Sequence, residues 1–306
     1  MIAGTLITGL IGVVMAVAAW LLARSRMRDT EALRARYATE LANWSYVPVP
    51  AELAMSVGGR IRRRKLLVLS YSAPLGVISL FWVAVQGFSN FASRTVDGPL
   101  VFALPLLVPY SVGSILIAVA LVRARRGEIE RALADGAQVQ PHAPARSRDP
   151  RLWLARLVAF VPLAVVAAVV TRLIDDPQLR GQLAWLAGSA VISIGGLVAA
   201  EAAQSSILAG PRIGGAPAEL AIDGVFADLL ALDVAQASAA LTIVSLLVAL
   251  IAVGEPIDHG SLLAKAPFFC VMAVCLLRLV VAVPAGQLPG GAARVGAISE
   301  SKRETS

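Results

Sequence analysis

Two cysteines and two histidines are all that this chain of 306 residues contains. Cys270 and Cys275 lie five positions apart in one apolar block. On a helix they point about 140° apart, so they cannot pair with each other there. They read as small apolar packing residues, and no disulfide framework follows from them. His142 and His259 are isolated in polar segments. "EPIDHG" (255–260) groups Glu255, Asp258 and His259 without the spacing that specifies a metal. No two histidines stand one turn apart, no serine sits in a nucleophile elbow, and "AGPRIGGAP" lacks the Lys-Ser/Thr of a phosphate loop. Neither a metal nor another cofactor is expected, and a non-catalytic role is favoured over an enzyme.

Charge is also scarce. Charged residues make up 15% of the chain, where an ordinary soluble domain carries about a quarter. Lysine is scarcer still, with three residues against 24 arginines. That bias, with abundant Ala, Val and Gly, is the composition of a GC-rich bacterial coding sequence.

What remains is apolar: 58% of residues, with mean hydropathy +0.76. The apolar residues gather into blocks close to the ~20 residues that cross a bilayer. Seven spans are expected, at about 2–23, 66–88, 100–122, 154–174, 182–201, 234–253 and 262–284. The fold class is therefore all-α, a polytopic membrane helix bundle, with one transmembrane domain over 1–290 and a flexible tail at 291–306.

The positive charges set the threading. Residues 24–65 hold ten Lys and Arg, residues 123–156 eight, 202–233 one and the tail three. The alternate connections hold one at 89–99, two at 172–181 and none at 254–261. Loops left in the cytoplasm are enriched in Lys and Arg. Seven spans then place the N-terminus outside and the C-terminus in the cytoplasm of a bacterial plasma membrane. "MIAGTLITGLIG" has no basic residue before its apolar core, while "ARSRMRD" follows it. That is the reverse of a cleaved leader, so an uncleaved anchor is expected. The run "RIRRRK" (60–65) abuts a span without interleaved aromatics, so it reads as an orienting charge and not a nucleic-acid surface. Anionic lipid headgroups are its natural neighbours. Seven spans with the N-terminus outside also invite comparison with retinal proteins. Lys265 lies too near the end of its span, and the third span has no carboxylate, so that reading fails.

Helical extensions are expected at 24–44, continuing the first helix, and at 123–136, closed by Gly136. Leu33, Tyr37, Leu41 and Trp44 share one face of the former. An interfacial helix is expected at about 218–233, with Ile222, Val225, Phe226, Leu229 and Leu232 on its apolar face. Its acidic residues suggest an intramolecular dock for the basic loops, or a seat for a basic partner. Small residues form packing stripes, Thr5, Gly9, Gly12, Ala16, Ala19 and Ala23 in the first span and Ser189, Ser193, Gly196 and Ala200 in the fifth. These faces are expected to be buried against each other or against a second copy of the chain.

Charges within the spans are the functional candidates. Arg278 is the deepest, with Glu201 and Asp233 as partners or a substrate anion or lipid phosphate as ligand. Lys265 sits near the outer end of its span, beside Glu255 and Asp258. The favoured function is a non-catalytic membrane subunit or scaffold that presents cytoplasmic loops to a protein partner. The alternative is a small permease, suggested by the intramembrane prolines, and the third reading is a lipid-acting membrane enzyme.

Overall fold

A computed structural model describes residues 10–11, 13–15, 17–18, 20–22, 24–25, 27–45, 47–93, 100–140, 152–160 and 183–253. They form long helices, α1 (Glu31–Ser45), α2 (Ala51–Ser93), α3 (Leu100–Ala134), α4 (Leu183–Ala209) and α5 (Pro217–Val253), with further helical residues within 10–25 and at 152–160. Among the described residues the expected all-α chain also contains one small ribbon. Strands β1 (Val139–Gln140) and β2 (Arg212–Ile213) pair antiparallel.

Three helices among the described residues are long and apolar enough to cross a membrane: Leu107–Ala134, Ala187–Ala209 and Pro217–Leu246. They correspond to the third, fifth and sixth expected spans. The second lies within α2, the first and fourth are described only in part, and the seventh lies outside the described residues. Val13–Leu22 forms a shorter apolar helix within the first. Burial ranks these helices. In α5, 83% of the apolar window is buried, against 11% in α4. Thus α5 is the central helix, and α4 turns Val191, Ile192, Ile194 and Val198 outward. A face of that size and apolarity is unfavourable in water and suits hydrocarbon.

Local chemistry explains the ends of the elements. The first extension is not continuous with the helix before it. Residues 28–30 leave helical geometry, and the Thr30 hydroxyl accepts from the Leu33 N–H at 3.2 Å, a side-chain cap that starts α1 afresh. At the end of α3, Gly136 has φ +70°, and Ala137 N–H returns to the Ala132 carbonyl at 2.9 Å. At the start of α5, Pro217 takes the first turn, and the Glu219 carboxylate accepts from Gly215 N–H at 2.8 Å and Ala216 N–H at 3.2 Å. No break separates 218–233 from the span after it. Asp233 is half-buried in an ion pair and so does not stop the helix, and the expected interfacial helix is the first half of α5.

The basic segments meet at one end of the bundle. Tyr37, Ala38 and Leu41 of α1 pack with Val57 and Ile61 of α2 and with Ile222 and Val225 of α5. Phe226 and Leu229 pack against the same cluster. The α1–α2 crossing is close. A Cβ on Gly58 would stand 2.1 Å from the Arg34 carbonyl oxygen, so only glycine fits there.

Candidate functional site

The basic end is organised around one carboxylate. Asp223 is 1% exposed on α5. Its Oδ1 accepts from Arg60 Nη2 of α2 at 3.0 Å and from Arg125 Nη1 of α3 at 2.8 Å. Its Oδ2 accepts from Arg125 Nη2 and from the Ile213 N–H of β2. Glu128, one turn along α3, takes a second bond from Arg60 at 3.1 Å. The Arg60 guanidinium also lies over the Phe226 ring, 4.2 Å from its centre. A buried carboxylate with two guanidiniums and a backbone donor is fully matched, which is the condition under which such a group is tolerated.

Further ion pairs extend this clasp. Arg64, one turn beyond Arg60, gives Nη2 to both oxygens of Asp233, at 2.8 and 2.6 Å. Lys65 reaches Glu40 of α1 at 2.8 Å and lies over Tyr37. Asp29 takes Arg34 and, at 3.3 Å, Arg62. The hydrogen bond from Arg34 holds the Asp29 carboxyl below the usual carboxylate range, and the charges of Arg34 and Arg62 reinforce it. Arg212, also buried, donates to the Leu208 carbonyl at 3.2 Å, and burial lowers its pKa against the opposing pull of Asp223.

Between α2, the end of α3, the ribbon and the start of α5 lies an open cleft of about 640 Å³. Arg34, Arg60, Arg62, Arg63 and Arg131 line it, with Asp29, Glu128, Asp135 and Glu219. Three of these arginines are held by carboxylates. Arg131 gives its Nε to the Gly127 carbonyl at 2.9 Å. Neither Arg131 nor Arg63 makes a hydrogen bond or close ion pair to a carboxylate among the described residues, although the charge of Arg63 acts on Asp29, and both are exposed. The cleft therefore offers two guanidiniums to an anion.

The residues singled out from sequence fall in different places. Gly9, Gly12, Ala16, Lys265 and Arg278 lie outside the described residues. Asp233 is held by Arg64, and Glu201 by Arg156 at 2.8 Å. Ser189 donates to the Ser245 carbonyl at 2.8 Å, and Ser193 bonds the Ser245 hydroxyl. Gly196 admits Leu241, whose Cδ2 would lie 2.6 Å from an added Cβ. This stripe therefore faces α5 of the same chain.

Sequence reading missed Asp223 as the centre of the clasp. Its local signal was present, a carboxylate on the apolar face of an amphipathic segment beside Ile222 and Phe226. Arg60 and Arg125 were counted as orienting charges, with nothing in their spacing to show that they converge. Comparison with protein-family models, with curated proteins and with solved structures finds no match to this chain. Among the described residues no group of three His, Cys, Asp or Glu side chains is placed to hold a metal ion.

Proposed function

We propose that the protein is a non-catalytic subunit or scaffold of a bacterial cytoplasmic membrane, whose basic end faces the cytoplasm and receives an acidic protein partner. The carrying observation is the cleft of about 640 Å³ in which, among the described residues, Arg63 and Arg131 form no close ion pair while their neighbours are clasped. The clasp supports this reading because it holds α2, α3 and α5 in one arrangement, so the exposed guanidiniums of Arg63 and Arg131 are presented on a fixed frame. The acidic residues of 217–233 are occupied within the chain, which turns the reading away from a basic partner. The seven-span threading, with the N-terminus outside and the C-terminus inside, belongs to the same reading. Anionic headgroups then border the basic end.

A permease is less well supported. The hydroxyls of Ser189, Ser193, Thr242 and Ser245 bond to one another or to backbone carbonyls, as polar contacts between packed helices do.

Cross-linking from residue 56, exposed at the cleft, in intact membranes, followed by mass spectrometry of the conjugate, tests the proposal. An acidic protein should be captured, and its yield should fall as salt rises, because exposed charges are screened. The pair Arg63→Glu and Arg131→Glu should lose the conjugate while the protein's abundance is unchanged. Capture that is indifferent to both salt and charge reversal would overturn the assignment.

A further inference from the structure

A second cavity, of about 330 Å³, lies away from the cleft between residues 152–160, α4 and α5. Its volume is within the roughly 300–1,000 Å³ of small-molecule sites. Ala159, Phe160, Ile194, Leu197, Val198 and Ala235 form its apolar walls. Phe160, Ile194 and Val198 are each more than half exposed, so the cavity opens sideways onto the apolar exterior of the bundle. Arg156, Glu201 and Gln204 also line it. Gln204 is 2% exposed, and its Oε1 accepts from Arg156 Nε at 3.2 Å and Nη2 at 2.9 Å, which fixes the guanidinium at the cavity.

One group in the wall has no internal explanation. Ser238 lines the cavity, is 5% exposed, and its Oγ has no hydrogen-bond partner among the described residues. Thr242 and Ser245 on the same helix return their hydroxyls to the carbonyl three residues back, and Ser238 does not. A buried hydroxyl left unmatched is unfavourable unless something else bonds it. The cavity thus combines a fixed cation, a buried donor and an apolar slot that opens sideways.

We propose that this cavity binds an anionic acyl amphiphile that enters from the bilayer. Its headgroup anion lies against Arg156, an oxygen of its ester or acid accepts from the Ser238 hydroxyl, and its chain lies along Phe160, Ile194 and Val198. Glu201 is 56% exposed in its side chain, so it can yield the guanidinium to the headgroup. A membrane phospholipid and a free fatty acid share this chemistry.

Native mass spectrometry of the full chain tests the proposal, after exchange into detergent with either phosphatidylglycerol, palmitate or phosphatidylcholine. The wild type should retain one phosphatidylglycerol or one palmitate in preference to phosphatidylcholine. The species retained identifies the source. Ser238→Ala should weaken retention about fivefold, the loss of one hydrogen bond. Arg156→Gln should weaken it about tenfold or more, since the bond lost there is charge-assisted. In the lipid-stripped protein, Ser238→Ala should leave the thermal midpoint unchanged or raise it, because it removes an unmatched hydroxyl. A purely structural serine would lower that midpoint. Equal retention of all three probes, or retention unaltered in both variants, would overturn the site.

Discussion

Asp223 shows how much one residue carries when its surroundings are dry. Arg60 and Arg125 both turn inward to it, with side chains 21% and 11% exposed. Truncating Asp223 leaves those two cations partly buried without their acceptor. The loss of one partner from a buried ion pair costs about 3–5 kcal/mol. Asp223→Ala should therefore lower the thermal midpoint of the detergent-solubilised protein by several degrees. Pairing it with Arg125→Ala should recover part of the loss, because the second change removes a stranded charge. A midpoint unchanged in Asp223→Ala would show that the clasp adds nothing to stability. The carboxylates of Asp29 and Glu40 belong to another class. Their pairs stand in solvent, which screens the charges, so they add little to stability.

Helices in this chain meet through small residues, but not all of those are equally strict. Gly58 faces backbone: an added Cβ would stand 2.1 Å from the Arg34 carbonyl oxygen, and neither helix can yield there without moving. Gly196 faces the end of the Leu241 side chain at 2.6 Å, which can change rotamer. Gly58→Ala should therefore cost about 1–3 kcal/mol and displace α1 from α2, while Gly196→Ala should cost less. Hydrogen exchange reads the difference. Amides of 31–45 should lose protection in Gly58→Ala and keep it in Gly196→Ala. Equal protection in the two would remove the argument. At this scale much could be read beforehand. The alternation of Leu33, Tyr37 and Leu41 marked the inner face of α1, and Ile222, Val225 and Phe226 marked that of α5. The break before α1 escaped notice although its signal, Thr30 followed by Glu31, is local. The expected division between an interfacial helix at 218–233 and a span at 234–253 is absent, since one helix runs through both and Asp233 pairs with Arg64.

For the molecule as a whole, ion pairs restrict the threading. Arg60, Arg125 and Asp223 touch, so the segments that carry them must lie on one side of the bilayer. Single cysteines introduced at 28, 135 and 215, in a background without Cys270 and Cys275, should react with a membrane-impermeant maleimide from the same side. Under the proposed threading they react in inverted vesicles and stay protected in intact cells. One of the three reacting from the opposite side would contradict the packing of the basic end. All three reacting in intact cells would reverse the threading and leave the packing intact.

The sequence by itself determined the apolar blocks, the uneven share of arginine between connections and the capped end of α3. Each of these depends on neighbours along the chain: hydropathy on a run of residues, a cap on three or four. Only the tertiary structure decided that α5 is the central helix, that Asp223 gathers arginines from two others, and that Ser238 opens into a slot beside Arg156. These depend on which helices are neighbours. Hydrocarbon treats one apolar helix much like another, so hydropathy cannot choose among pairings. The choice falls to a few small and polar side chains, whose partners lie as far as 169 positions away.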